Sequence, residues 1–560
     1  MSRTGAELLV DTLTEYGVTH VFGNPGTTEL PIVDALSRDG PDYILALHED
    51  IAVGMAAGYA RTRAWHANDD PSINPVGIVN LHVTPGLTHG LGNLFNAGQI
   101  GTGAPIVVTA GAHALDHGHR EPNLHGDLVS LADPLTKWSA EVPRLTVLGD
   151  YLRRAVRVAL TPPCGPTFLA LPFDVMTDRT DAEVASLGSI PTAGSGSSID
   201  VSAAVETLVE SEEIILVAGD GVGRSGRPAV SAAVRFAEIA GAGVVGEFRM
   251  SELDFPVTHP QWLGRLPDDR TTAEQYLSAD TVVFAGVVSN VPTNPPDVPN
   301  PEWATTTCIQ ISDDGHELGK NYRADVSILG DPGMVLDRLA EEIGDQLDDA
   351  QRERRISRVI QRERTGRLPS DQPTGSTGTA SKADLAQGLA GAAPNALVVA
   401  EAITSAKWLH AAYAFEPESF CKQRGGGLGY GMPATLGAAL ATAEHGSDRP
   451  VIGFIGDGAY LYYPQTIYTA ARYDIDVTIV VADNRNYRVL KNNMLSLFGG
   501  TEEDYHFIGM DFDPPIDIPM NARSHGASGR LVEVTNEIED SIAAAVAEDG
   551  PSVVDVLIHD

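Results

Sequence analysis

The chain is predicted to be an α/β protein built from three doubly wound parallel-sheet domains, and three observations predict it. Short apolar runs (YILAL, VGIVNLH, PIVVTAG, IILVAGDG, TVVFAG and ALVVAEA) alternate with helical patterns along the chain. At 560 residues the chain is too long for a single hydrophobic core. Two stretches rich in Gly, Ser and Pro divide it: LGSIPTAGSGSSID (Leu187 to Asp200) and TGRLPSDQPTGSTGTAS (Thr365 to Ser381). A highly charged helical run around Asp345 to Arg364 precedes the second. The expected domains are residues 1–186, 200–345 and 381–560, with linkers at 187–199 and 346–380.

Composition narrows the function classes. Acidic residues outnumber basic ones 75 to 38, giving a net charge of −37 spread along the chain. Such a surface repels nucleic acid and anionic membranes. It also self-repels at low ionic strength, which predicts a salt-loving source. No apolar run is long enough to span a bilayer. The start, MSRTGAELLVDTLTEYG, reads as an amphipathic helix and not as a signal peptide. Three widely spaced cysteines (Cys164, Cys308, Cys421) give neither a zinc pattern nor a disulfide framework. A cytoplasmic location is therefore expected.

In chain order, the first domain opens with VFGNPGTTELP (Val21 to Pro31). The strand Tyr43 to Leu47 then leads through His48 to Glu49 and the small-residue helix DIAVGMAAGYAR. A carboxylate at a strand end and helix start lies on the functional edge of a parallel sheet. The segment GIVNLHVTPGLTHGLGNLFNA (Gly77 to Ala97) contributes His82. The loop LDHGHREPNLHGD holds His117, His119 and His125, whose spacing lacks a structural zinc pattern. In the middle domain, Gly219 to Gly226 spell a literal GxGxxG between a strand and a helix, with Glu247 about 20 residues on, as in a dinucleotide fingerprint. That domain also carries VTHPQWLGRLP (Val257 to Pro267), with His259. In the third domain, RGGGLGYGMPATLGAAL places Gly426 and Leu428 in a glycine-rich turn. The most informative stretch is VIGFIGDGAYLYYPQTIYTAARYDIDVTIVVADNRNY. Asp457, bracketed by glycines, ends one apolar run, and Asn484, 27 positions later, ends the next. Two parallel strands thus carry oxygen ligands at their carboxyl ends, a pattern suited to Mg²⁺ holding a diphosphate.

GDG followed at this spacing by Asn resembles the signature of thiamin-diphosphate-dependent enzymes, and the resemblance extends along nearly the whole chain. It implies pyrimidine-binding, middle and diphosphate-binding domains in that order. It implies Asp457, Asn484 and Asn486 as Mg²⁺ ligands. It also implies Thr404, Gly426, Leu428, Gly458, Ala459 and Tyr487 as further cofactor contacts, with Leu428 as the wedge that bends the cofactor. Glu49 matches the glutamate that activates the aminopyrimidine. The segments around Thr27, His82 and His259 resemble benzoylformate decarboxylase and its near relatives. There Thr27 would meet the substrate carboxylate, and the two histidines would move protons. The segment NYRVLKNNMLSLF departs from those relatives at Val489 and Asn493, with Arg488 and Lys491 nearby, which predicts a more polar pocket. The expected activity is decarboxylation of a 2-oxo acid to an aldehyde and CO₂. The alternatives are a carboligase of the acetolactate synthase type with FAD in the middle domain, a flavin or nicotinamide oxidoreductase, and a non-catalytic paralogue. The family builds its sites between subunits, so a homodimer is the expected minimum and a homotetramer the expected assembly.

Overall fold

The computed structural model describes residues 2–98, 101–267, 270–288, 306–362 and 378–559. Each of the three domains builds a parallel sheet flanked by helices. The chain separates into two compact units. One comprises Met1–Ile190, Asp371–Tyr413 and Gly425–Asp560 and holds the first and third sheets. The other comprises Pro191–Ser370 and Ala414–Arg424 and holds the middle sheet.

In the first sheet the strands Asp42–Leu45, His20–Gly23, Gly77–Leu81, Ile106–Ala112, Thr167–Pro172 and Ser139–Glu141 lie side by side in that order, all parallel. His20–Gly23 and Gly77–Leu81 are neighbours, but the chain leaves them toward opposite edges. Their carboxyl ends therefore flank a topological switch point, where open α/β sheets bind ligands. Helix Glu49–Asp69 follows the edge strand and is buried around most of its circumference, in keeping with its small residues. It packs against the third-domain helix Gly431–Glu444. A Cβ on Gly58 would stand 2.1 Å from the Ala434 carbonyl oxygen, and one on Gly437 2.0 Å from that of Met55. Only glycine lets these two backbones meet.

The third sheet runs Leu397–Glu401, Val451–Gly456, Val477–Asp483, Pro551–Leu557 and Ser528–Val532, all parallel. Gly456 is in register with Ala482. Asp457 and Asn484 therefore leave adjacent strands at the same edge.

The second unit orders Trp262–Arg265, Gly243–Gly246, Ile214–Ala218, Thr281–Ala285, Thr307–Ser312 and Val326–Leu329 in one parallel sheet. Leu216, Phe236, Ile309 and Leu336 are among its fully buried core. The charged run near 345–364 forms helix Asp349–Gln361, inside the segment 346–380 read as a linker. Arg355 of this helix is buried and donates to the carbonyls of Ala240, Leu208 and Val209. The Gly/Ser/Pro-rich residues 363–377 lie outside the described residues. Among the described residues no helix is long and apolar enough to cross a membrane.

Candidate functional site

A cleft of about 450 Å³ opens at the carboxyl ends of the third-domain strands. Thr404, Leu428, Asp457, Gly458, Ala459, Asn484, Asn486 and Tyr487 line it, and Arg488 and Val489 stand at the same cleft. Gly426 lies just before Leu428 in a left-handed conformation, φ +92°. Asp457 opens the short helix Asp457–Tyr460, and its Oδ1 accepts the Gly458 amide at 2.9 Å. Its Oδ2 is buried without a hydrogen-bond partner among the described residues. Burial, and after it the neighbouring Asp483, push the Asp457 carboxyl up to about 8. Arg485 turns the chain through φ +56° between Asn484 and Asn486, and its amide donates to Asp483 Oδ1 at 2.9 Å. Two adjacent buried carboxyls, one with an orphaned oxygen, call for a proton or a cation. The oxygen donors of Asp457, Asn484 and Asn486 suit a hard cation such as Mg²⁺. Sequence reasoning missed Glu401 beside them. Its buried carboxylate accepts the amides of Gly429, Tyr430 and Gly431 at 3.0, 3.3 and 2.7 Å. Burial raises its carboxyl to about 7, while those three amides pull it back. The signal was present, since Glu401 ends the apolar run ALVVAE much as Asp457 follows VIGFI.

The second cluster occupies the switch point of the first sheet. Glu49 is 7% exposed and opens its helix behind His48, whose Nδ1 caps the Asp50 amide at 3.1 Å. Its carboxylate faces the Asn24 amide nitrogen at 3.4 Å and His89 Nδ1 at 3.3 Å. His82 sits close by: a Cβ on Gly86 would lie 3.3 Å from both Glu49 Oε1 and His82 Cβ. His82 Nδ1 is 2.7 Å from Oε2 of Glu29, which is wholly buried. The Glu29 carboxylate also accepts the Gly26 amide at 2.9 Å and the Thr28 hydroxyl at 2.6 Å. An anionic partner on Nδ1 fixes the tautomer and leaves Nε2 as the basic nitrogen. The next residue, Val83, has φ +30°, a strained conformation for a β-branched side chain and a mark of functional sites. Thr27 is exposed on the same turn, and its neighbour Thr28 is the residue that approaches His82, at 3.2 Å. The Glu29–Thr28 pair gave no sequence signal beyond lying within TTELP. Glu49 does not line the third-domain cleft.

His259 belongs to the second unit. Its Nδ1 accepts the Gln261 amide at 3.2 Å, its Nε2 lies 3.4 Å from Glu238 Oε1, and its ring meets Phe255 edge-on. A proton-transfer role would require it to give up these partners. The GxGxxG loop of the same unit does not fit a pyrophosphate. The Gly219, Asp220, Gly221 and Val222 amides donate to Ala285, Glu247, Gly286 and Gly219. The Asp220 and Glu247 carboxylates fill the loop mouth and share Arg424. A phosphate there would meet like charge and find those amides taken.

Comparison with known proteins follows the same division. Residues 3–130, 201–339 and 403–556 match the N-terminal TPP binding domain, the central domain and the C-terminal TPP binding domain of thiamine pyrophosphate enzymes. The chain is 29% identical to a benzoylformate decarboxylase of Pseudomonas aeruginosa over 97% of both chains. It is 26% identical to an acetolactate synthase of Bacillus subtilis, covering 99% of this chain and 93% of that one. The structure resembles a thiamine diphosphate-dependent 4-hydroxybenzoylformate decarboxylase of Rhodococcus jostii RHA1. That match has a TM-score of 0.84 at 27% identity and covers 100% of this chain and 99% of the other.

Proposed function

The chain belongs to the thiamine pyrophosphate enzyme family, and we propose that it is a thiamin-diphosphate- and Mg²⁺-dependent decarboxylase of 2-oxo acids, releasing an aldehyde and CO₂. The observation that carries this reading is the half-buried His82 held by the buried Glu29 carboxylate beside Glu49. Bound thiamin diphosphate supplies a nucleophilic carbon and a sink for the electron pair left by CO₂. Asp457, Asn484 and Asn486 would hold the metal, and Thr404, Gly458 and Ala459 would surround the diphosphate. Glu49 would exchange a proton with the pyrimidine ring nitrogen. His82, with Nδ1 held by Glu29, would deliver from Nε2 the proton that an aldehyde product requires. Thr27, exposed at the mouth of the switch point, would meet the substrate carboxylate. Because Glu49 is absent from the lining of its own chain's cleft, a second copy would complete each site. A homodimer is then the smallest active unit.

Val489 and Arg488 at the cleft favour an aliphatic or polar side chain as readily as an aryl one. An acetolactate synthase-type carboligase is the second reading, favoured by relatives of that description at similar identity. The test is product analysis on a panel of 2-oxo acids with thiamin diphosphate and Mg²⁺. Free aldehyde with stoichiometric CO₂ supports the decarboxylase. Acetolactate from pyruvate with little aldehyde replaces it with the carboligase.

A further inference from the structure

The glycine loop that delivers Leu428 to the cleft is gripped by a first-domain side chain near the end of the segment Gly77 to Ala97. Helix Leu91–Ala97 carries Asn93 and Asn96, both buried. The Asn96 carboxamide lies along the backbone of Gly427. Its Nδ2 donates to the Gly427 carbonyl at 2.9 Å, and its Oδ1 accepts the Gly427 amide at 3.2 Å. Nδ2 also donates to Asn93 Oδ1 at 2.9 Å. Asn93 is itself fixed: its main-chain amide donates to Asp50 Oδ1 at 2.6 Å and its carboxamide to the Asp50 carbonyl at 2.9 Å. Asp50 Oδ2 accepts the Tyr463 hydroxyl at 2.9 Å. The orientation of Asn96 is therefore determined, because a flip would set its oxygen against two acceptors and its nitrogen against a donor.

The loop needs such a grip. Gly426 and Gly429 take φ of +92° and +96°, and consecutive glycines lose more conformational freedom on ordering than other residues. Glu401 secures the segment after Leu428 through three amides. Asn96 secures the residue before it. Asn93 adds a longer contact on the far side, its Nδ2 donating to the Gly429 carbonyl at 3.4 Å, so Leu428 is suspended between side-chain anchors on both flanks.

We propose that Asn96 is a positioning residue that sets where Leu428 and the Gly427 carbonyl stand in the cleft. It acts on the ring portion of thiamin diphosphate and not on its diphosphate, and this rests on the reading of the cleft as a cofactor site. Full-length protein, stripped of cofactor, is titrated with two probes: thiamin diphosphate with Mg²⁺, and inorganic pyrophosphate with Mg²⁺. In Asn96→Ala the Kd for thiamin diphosphate is expected to rise about tenfold or more, as for loss of buried hydrogen bonds. The Kd for pyrophosphate is expected to stay within about twofold, because the phosphate-facing residues keep their own contacts. Leu428→Ala should weaken thiamin diphosphate by itself. The double variant should then be no weaker than the weaker single one, since Asn96 acts through that residue. Equal loss of both probes in Asn96→Ala, additive losses in the double variant, or unchanged thiamin diphosphate binding would each overturn the proposal. Wild-type protein that binds neither probe would remove the cofactor reading of the cleft, and the proposal with it.

Discussion

Asp457 sits beside Asp483 with one buried oxygen unpartnered, so a proton and a cation compete for the same place. The sign follows from the raised carboxyl. Below about 8 it holds a proton that a metal bound there, as proposed, would displace. Mg²⁺-dependent binding of thiamin diphosphate is therefore expected to strengthen from pH 6 to pH 8 and to release protons. Calorimetry in buffers of different ionisation enthalpy reads both, and metal affinity that is flat across this range would contradict the argument. Asp457→Asn removes the charge that attracts the cation and should weaken Mg²⁺-dependent cofactor binding by about a hundredfold. Glu49 and Glu29 differ in kind. Glu49→Gln removes the group proposed to exchange the proton and should lower kcat by about three orders of magnitude. Glu29→Gln keeps a hydrogen-bond acceptor but loses the charge that orients His82. It should lower kcat by about a hundredfold with little change in cofactor affinity. A Glu29→Gln enzyme of normal kcat would remove His82 from the proposed proton path.

The apolar runs fixed their own period and length, so the parallel strands were readable from the sequence, and with them the edge carrying Asp457 and Asn484. Elements that act through tertiary hydrogen bonds were not readable. Asn96 reaches Gly427 across 331 positions, and Glu29 meets His82 only after two neighbouring strands bring their ends together. The GxGxxG string, an alternative and not the favoured reading, has a tertiary reason of the same kind. Gly221 serves close packing on Gly286, where a Cβ would stand 2.7 Å from the Gly286 Cα, and Gly223 serves packing on Glu252, where a Cβ would stand 2.4 Å from its Cβ. The loop behind that packing carries its own consequence. Asp254 is fully buried, and neither of its oxygens has a hydrogen-bond partner among the described residues. Burial first, then Asp220 and Glu247, hold its carboxyl well above the ordinary range. A carboxyl raised in the folded state favours folding at low pH. That advantage is lost as pH climbs from the unfolded value, about 4, toward the folded one. Asp254→Asn has no proton to lose. Its thermal midpoint should exceed that of the wild type at pH 8 and converge with it below about pH 4. A midpoint that is lower at both values would mean that Asp254 is ionised and serves an ion pair.

At the scale of the whole molecule the charge of −37 dominates. Ion pairs such as Arg38–Asp34, Arg153–Asp150 and Arg352–Asp349 lie on exposed helix faces and add little each. Even with every base paired, about half of the acids stay unmatched, since bases number 38 against 75 acids. Self-repulsion therefore opposes both folding and the pairing of copies that the proposed site requires. Leu497, Phe498, Ile508 and Met520 are exposed at 58%, 71%, 88% and 60% on the segments that follow the cleft residues in the chain, apolar side chains that gain from burial against a second copy. Apolar burial gains from added salt only modestly, whereas repulsion between like charges collapses once the screening length falls from about 10 Å at 0.1 M to about 3 Å at 1 M. The expected outcome is a thermal midpoint that rises by roughly 10 °C or more between 0.1 M and 2 M KCl. Dimer formation and turnover should appear over the same salt interval. Sedimentation and activity measured on the same samples decide the point. Parallel rises tie the acidic surface to assembly of the site. A dimer already complete at 0.1 M, with a salt-independent midpoint, would show that the acidic excess is borne without strain and that no saline setting is needed to explain it.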